Sequence, residues 1–547
     1  MNEVGATELA LARLDTNFVE LTALTADAKE KLDRGRLEAA AVACQIAAYY
    51  AWLNHAGIFA SPDLESSLNA IAHRAGIDSR GIAIRVPTAT PAQVLHVATQ
   101  VYEVGGHTQM LSRWISQDSG RRHQVCLTRQ GATPVPQKLI QELAVRDDLS
   151  CLDGSAGGLL RRAKALRAAA LRADLVLLHA HPYDVVPALA FAEPTGLPPV
   201  VMVNHSDHAF WIGRNTTTVL LNLRDSGRDL AIERRGVESA RSAVLARPLG
   251  ALTTRTMTRA EAKRQFGLSD QQVLIATAAA ATKYDALSEP SLLDLVLPVI
   301  QEHPNAVFLA AGPDPVGQWA DAERLSHGRI RALGRLADVT PLHLAADGYV
   351  DSFPFASLTS LIESGIFGNP ALTYRGHPSD CGVLGADTRG LDEFLLRPRN
   401  NVEFHRDLSK MISDADWRHE RGAQTRDAIE RTHVGTGWQA DLDDLYALAA
   451  KLPIAPRPGP APRGTGSLDQ LVELVQGQTG FSDGQVGAQR ANLALLPIRD
   501  RVSTWIRLMR KGERPAARLL VPEWMLPPLS RARHRIASRA ASAKVNP

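Results

Sequence analysis

The run Leu342–Tyr374, LHLAADGYVDSFPFASLTSLIESGIFGNPALTY, constrains this chain more than any other stretch. Its pattern predicts a short helix, a buried strand at Gly348–Val350, a tight turn at Pro354 and a second helix from about Ser357. That helix must stop at Gly368-Asn369-Pro370, a combination that cannot continue it, and an extended run Ala371–Tyr374 follows. A β-loop-α-β unit of this kind belongs to a parallel α/β sheet, where ligands bind at the carboxyl ends of the strands. The free N–H groups and positive dipole end of the helix near Ser357 suit a phosphate. Glu363, within two turns of that end, can reach ribose hydroxyls; by spacing alone it reads equally well as a surface glutamate beside a βα loop.

At 547 residues the chain is too long for one core and suits two or three domains. Its 45% hydrophobic and 22% charged residues are ordinary for a globular protein, and a net charge of +3 argues against nucleic acid as a partner. Four scattered cysteines (Cys44, Cys126, Cys151, Cys381) with no CxxC pair indicate neither a disulfide framework nor a zinc site, which fits a reducing cytoplasm. The amino terminus lacks a signal-peptide pattern, and the most apolar stretch, Leu175–Ala192, is interrupted by His179, His181, Pro182, Asp184 and Pro187. These features predict a cytoplasmic protein.

Residues 1–87 read as α-helical, with an Ala-rich TPR-like pair and a break at Ser61-Pro62. From Pro87 the pattern alternates strand and helix. The first strand, Val94–Ala98, leads through Gly105-Gly106-His107 into a helix, a turn that lacks the GxGxxG dinucleotide fingerprint. His107 is either a site residue or the cap of a tight βα turn. Two later strands end in polar loops, His179-Ala180-His181-Pro182-Tyr183-Asp184 and Asn204-His205-Ser206-Asp207-His208, which a parallel sheet places on one edge. A histidine beside a carboxylate is what a general base needs, so His205 or His208 with Asp207 as orienting partner is the candidate pair, and His107 competes. The same residues on a loop make a poorer metal site than a helical H-E-x-x-H.

The second half opens with the helix Arg259–Phe266 and a strand Val273–Ala276, whose loop carries Lys283 and Tyr284. Arg335 stands at the end of a further strand. Lys451–Ser467 is rich in Pro and Gly, hence an extended linker. Beyond it, Arg499–Pro547 holds 12 Lys and Arg against three Asp and Glu, a local +9, with Trp505, Leu508, Met509 and Trp524 interspersed. Such a tail reads as disordered or partner-bound, or as a peripheral contact with an anionic membrane.

The pattern D-S-F-P-F-x-S-x-x-S-x-x-E-x-x-x-x-G-x-P, from Asp351 to Pro370, resembles the nucleotide-sugar half of GT-B glycosyltransferases. The resemblance spans about residues 90–450 and implies an α/β, GT-B architecture of two Rossmann-like domains facing a crevice. The expected division is a helical region 1–87, an acceptor-side domain 88–250, a nucleotide-sugar domain 251–450 with helices crossing back, a linker 451–467 and a basic tail 468–547. It also implies that Glu363 binds the ribose, while Ser357, Leu358 and Thr359 hold the diphosphate with Lys283, Tyr284, Arg335, Asp351 and Phe355 nearby. Gly105 and Gly106 would let backbone approach the sugar. Phe355 replaces the second glutamate of many retaining members, and the D-x-F-P-F form is closer to the inverting branch that includes the O-GlcNAc transferase; the stereochemical outcome stays open. The block N-H-S-D-H-A-F-W-x-G is similar to bacterial GT-B proteins. What the resemblance implies is a metal-independent, cofactor-free transfer of a hexose from a nucleotide-diphosphate sugar to a hydroxyl or amide of a glycan, lipid or protein. A nucleotide-sugar epimerase of the same architecture and a non-catalytic binding scaffold are the alternatives.

Overall fold

The computed structural model describes residues 3–78, 86–103, 105–143, 145–250, 254–285, 290–385, 387–454, 456, 458–478 and 484–526. Two parallel sheets organise the chain. The first contains β1 (Gln93–Ala98), β2 (Arg122–Leu127), β3 (Leu149–Cys151), β4 (Leu175–His179), β5 (Val200–Val203), β6 (Val219–Asn222) and β7 (Ser242–Val244), in the order β3-β2-β1-β4-β5-β6-β7. The second contains β8 (Val273–Ala278), β9 (Ala306–Ala311), β10 (Ile330–Ala332), β11 (Gly348–Val350) and β12 (Ala371–Leu372), in the order β10-β9-β8-β11-β12. Strands such as LVLLH and AVFLAA are buried along their whole length, as continuous apolar runs in helix-covered parallel sheets must be. In each sheet the order reverses once, between β1 and β4 and between β8 and β11. Crevices open at such switch points, so the loops after these four strands are the ones placed to hold a ligand.

Three helices, Glu3–Asp33, Leu37–Leu53 and Pro62–Arg74, precede the first sheet. The third begins at the expected break, with Ser61 Oγ accepting the Leu64 N–H. The middle helix is buried almost all round, so it is the centre of a layer packed on the first domain rather than an open pair. The segment 243–250, between the two expected domains, supplies most of the edge strand β7 and then the buried Leu245 and Leu249; residues 251–253 lie outside the described ones. The helix Gly435–Lys451 crosses back to the first domain. Its Trp438, Leu442, Leu445 and Tyr446 fill one core with Val94, Trp114 and Leu221.

The tail departs from expectation. Residues 458–464 lie against the first domain, where Gly459 N–H donates to the Gly236 carbonyl (2.7 Å) and Gly464 N–H to Gly57 (2.8 Å). The helix Ser467–Gln478 docks through Asp469, which takes His55 at 3.0 Å and Arg234 at 2.8 Å. Gly484–Asn492 packs on the buried N-terminal helix, where Gln45 donates to Asn492 (2.9 Å). Glu523, almost fully buried, accepts from Arg129 (2.5 Å) and Arg162 (2.7 Å). Up to Leu526 the basic segment is therefore folded onto the body, because its few acids find buried arginines; the rest of it, 527–547, is outside the described residues.

Glu523→Ala removes the carboxylate shared by Arg129 and the buried Arg162 and should cost about 1–3 kcal/mol. Urea unfolding and limited proteolysis check this. Cleavage after residue 483 should accelerate, and an unchanged digestion pattern would show that this ion pair does not hold the segment down.

Candidate active site

The loops at both switch points meet across the crevice. On the second domain, Asp351 ends β11 and its Oδ1 accepts the N–H groups of Ser352 and Ser357 at 2.8 Å each. This fixes the turn that starts the helix Leu358–Gly365, referred to below as the donor helix. Burial raises the Asp351 carboxyl to about 6. Lys283, in the loop after β8, donates to the Ala356 carbonyl (2.7 Å) and stands 4.5 Å over the Phe355 ring. Burial, opposed by Asp351 and reinforced by Arg247 and Arg224, lowers its ammonium to about 8.

On the first domain, Gly105 (φ 147°) caps the helix Gly106–Gln117, referred to below as the glycine helix. A Cβ on Gly106 would stand 3.5 Å from Thr359 Oγ1, so the glycine turn faces the start of the donor helix directly. Arg247 donates to the same Thr359 Oγ1 at 2.7 Å. Its Nε is buried without a partner, and burial with repulsion from Arg224 lowers it to about 10. From the middle of the glycine helix, Arg113 reaches Oε1 of Glu363 (2.6 Å), leaving Oε2 without a partner among the described residues. Both line a cavity of about 360 Å³ between the domains, with Leu336, Val339 and His343. His343 is buried and neither of its ring nitrogens has a partner.

The structure thus brings Gly105, Gly106, Lys283, Asp351, Phe355, Ser357, Leu358, Thr359 and Glu363 to one crevice. It does not bring Tyr284, whose hydroxyl bonds Thr277 (2.9 Å) and whose ring packs on Trp319 in the core. Arg335 is exposed at the end of β10, with no hydrogen bond or ion pair among the described residues. Arg113, Arg224 and Arg247 are additions that no local motif marks.

Of the two expected histidine–carboxylate pairs, His208 with Asp207 is present and His205 with Asp207 is not. Asp207 does not orient His205. It is held by Arg224 in a fork (2.6 and 2.9 Å); burial alone would raise its pKa, but Arg224 and His208 carry it far below the usual carboxylate range. His208 lies 3.5 Å from Asp207 and edge-on to Phe355, with ring centres 4.6 Å apart. His205 bonds instead to His179 (3.1 Å), and His107 sits against it at 4.3 Å between ring centres, with both nitrogens unpartnered. Burial lowers His107 to about 3 and His205 well below its ordinary value, so both imidazoles are neutral. Among the described residues no group of three or more His, Cys, Asp or Glu side chains is arranged to hold a metal ion.

No protein-family model and no curated protein matches the chain. Solved structures do. The Anabaena Alr3699/HepE protein in complex with UDP is similar at 14% identity over 64% of this chain and 98% of its own, with a TM-score of 0.50. A glycosyltransferase from Rickettsia africae is 11% identical over 66% and 98% (TM-score 0.49). The Thermobaculum terrenum O-GlcNAc transferase is 14% identical over 82% and 85% (TM-score 0.43). The fold is the GT-B fold of glycosyltransferases, two Rossmann-like domains facing a crevice.

The two cations at the donor helix give a pH signature. Below about 8 Lys283 is an ammonium ion; above it the free protein must take up a proton to bind an anion. Pyrophosphate affinity, measured calorimetrically, should therefore fall between about pH 7 and about pH 9.5, with proton uptake at the upper end. A flat profile would remove Lys283 from the anion site.

Proposed function

We propose that the chain is a glycosyltransferase that moves a hexose-type sugar from a nucleotide-diphosphate donor to a hydroxyl or amide acceptor. One observation carries this reading: Lys283 and Arg247, both half-buried and neither paired with a carboxylate among the described residues, converge on the start of the helix Leu358–Gly365 beside Glu363. A helix N-terminus with two cations is a diphosphate site. The nucleoside would lie in the adjoining cavity, with its ribose on Glu363 Oε2 and its base toward His343. Lys283 and Arg247 would then hold the charge that builds on the leaving diphosphate, the task a metal performs elsewhere. The sugar would lie beside the Gly105-Gly106 turn, which His107 and His205 face, and His205 is our candidate for the acceptor proton. HepE was solved with UDP, so UDP is the first nucleotide to try.

Thermal shift with nucleoside diphosphates and their sugars tests this reading. A ligand at 100 times its Kd adds about 2.7 kcal/mol to stability. Glu363→Gln removes a charged hydrogen-bond acceptor and should weaken the preferred nucleotide by about 1.5–3 kcal/mol. Turnover without acceptor would instead indicate the epimerase, and no nucleotide response would leave a scaffold.

We also propose a peripheral contact with anionic membrane through the helix Ile498–Arg510. It packs Leu508 inward and exposes Ile498, Val502, Ile506 and Met509 along one stripe, with Arg499 and Arg510 on the same helix. No helix among the described residues is long and apolar enough to cross a membrane. Ile498→Asp with Ile506→Asp should abolish co-sedimentation with anionic liposomes; equal pelleting of both proteins would refute the contact.

A further inference from the structure

Four imidazoles form an unbroken hydrogen-bonded row beneath the crevice. His205 Nε2 meets His179 Nδ1 (3.1 Å), His179 Nε2 meets His96 Nδ1 (3.2 Å), and His96 Nε2 meets His123 Nδ1 (2.9 Å). His123 Nε2 ends the row on the backbone carbonyl of Asp118 (2.8 Å). The sheet register builds it. His123 on β2 lies opposite Val94, two residues before His96; His96 lies opposite Leu177, two residues before His179. The β4–β5 register, continued by one residue, puts His179 opposite Val203, two residues before His205. Each histidine is therefore one pleat further along its strand than its neighbour and on the same face, and the row runs diagonally from the amino end of β2 to the carboxyl edge of β5.

A carbonyl oxygen only accepts, so His123 must carry its proton on Nε2. Its Nδ1 then accepts from His96 Nε2–H, and the same logic passes along the row. Burial keeps all four rings toward the neutral form. The last consequence is at the crevice: His205 has its hydrogen on Nε2 and a bare lone pair on Nδ1.

We propose that this row is a proton relay that sets the tautomer of His205 from the Asp118 carbonyl and carries a proton taken at His205 Nδ1 away to His123. The step balances without any co-reactant. An N–H bond forms at His205 Nδ1 as the Nε2–H bond breaks and its proton passes to His179 Nδ1, and so on to His123, which becomes the imidazolium. Reversing the same steps returns the proton to the crevice. The physical need is clear from what faces each end. His205 faces His107 from the glycine helix, His179 and His181 from the end of β4, and Arg247, with no carboxylate among them. His123 Nε2 is 3.7 Å from Asp118 Oδ2, whose carboxylate also takes Arg121 and the Tyr446 hydroxyl. Burial opposes a positive charge at both ends, and Arg121 opposes it further at His123, but only His123 has a carboxylate, Asp118, to offset it. Assigning the acceptor proton to this relay rests on the transferase reading; the relay itself does not.

Nitrogen-15 NMR of histidine-labelled full-length protein tests it without activity. Near neutral pH, His96, His123, His179 and His205 should each show the neutral Nε2–H form. On acidification the first imidazolium of the row should be His123. A Nδ1–H tautomer at His205, or first protonation at His205, overturns the proposal. In His96→Phe the lock is cut, and His205 should show both tautomers; a single unchanged tautomer also overturns it. His123→Gln preserves a donor to Asp118 and an acceptor for His96 but cannot hold a second proton, and it serves if the Phe variant does not fold. It should keep the His205 tautomer yet lower kcat by about 10²-fold with KM nearly unchanged, the scale of one positioned base. Unaltered kcat and pH profile in a competent enzyme would confine the row to setting the tautomer and overturn the relay. Loss of every nucleotide response in wild type would sink the transferase reading while the NMR still decides the row.

Discussion

Two half-buried cations aimed at the positive end of a helix are an unfavourable arrangement for a folded chain by itself. Buried charges are ordinarily paired, and like charges raise the cost. Arg247 and Lys283 nevertheless converge on Ala356 and Thr359 with no carboxylate in ion-pair range among the described residues, and their depressed pKa values register the strain. Asp351, the nearest acid, spends Oδ1 on two backbone N–H groups. What would relieve the site is a polyvalent anion, which is why the diphosphate reading rests on electrostatics as well as on fold.

The same charges govern how the halves meet. Arg224, from the first domain, is fixed by the Asp207 carboxylate and points the rest of its guanidinium at the Val383 and Gly385 carbonyls of the second. Ser226 donates twice to Asp387 (2.8 and 2.7 Å), and Arg113 reaches Glu363. Each of these contacts spans the crevice, so the conformation seen is a closed one held by polar groups. Such contacts are exchangeable with ligand and water, unlike the apolar packing of the crossing helix, and that division of labour suits opening and closing. A nucleotide entering at Glu363 must share that residue with Arg113.

The second-domain side of the crevice was legible because its residues are local in the chain. Asp351, Ser357, Thr359 and Glu363 lie within one β-loop-α unit, and strand-end logic alone places Lys283 opposite them. The first-domain side was legible only in part: His208 does stand beside Asp207, but His205, two residues before it, turns to His179 across the sheet, and Arg224 seventeen residues on holds the carboxylate. His96 and His123 lie inside strands and signal nothing singly; only the strand order β2-β1-β4-β5 aligns them. Tyr284 was misplaced for the complementary reason, since an aromatic beside a functional lysine reads as a ligand contact until Thr277 and Trp319 are seen around it. In the tail, net charge concealed Asp469 and Glu523, two acids whose buried partners lie hundreds of residues away.

The glycine helix joins these parts mechanically. Its 12 residues span roughly 18 Å at the α-helical rise. At one end Gly106 and His107 face Thr359 and His205. In the middle, Arg113 holds Glu363, and Trp114 lies edge-on to His96 and His179 while its indole N–H donates to Tyr446 on the crossing helix (3.1 Å). At the far end Gln117 donates to the Leu249 carbonyl (2.6 Å) and accepts from Gly435 N–H (3.0 Å), where the chain passes between domains, and Asp118 terminates the imidazole row. A rigid rod with the Thr359 turn at one end and the interdomain passage at the other cannot let the domains move without shifting both. Closure that seats Glu363 against Arg113 also seats Trp114 against the histidines. The geometry proposed to hold the nucleotide and the geometry proposed to carry the proton are therefore set by one element, and a substitution that tilts it should disturb the two together.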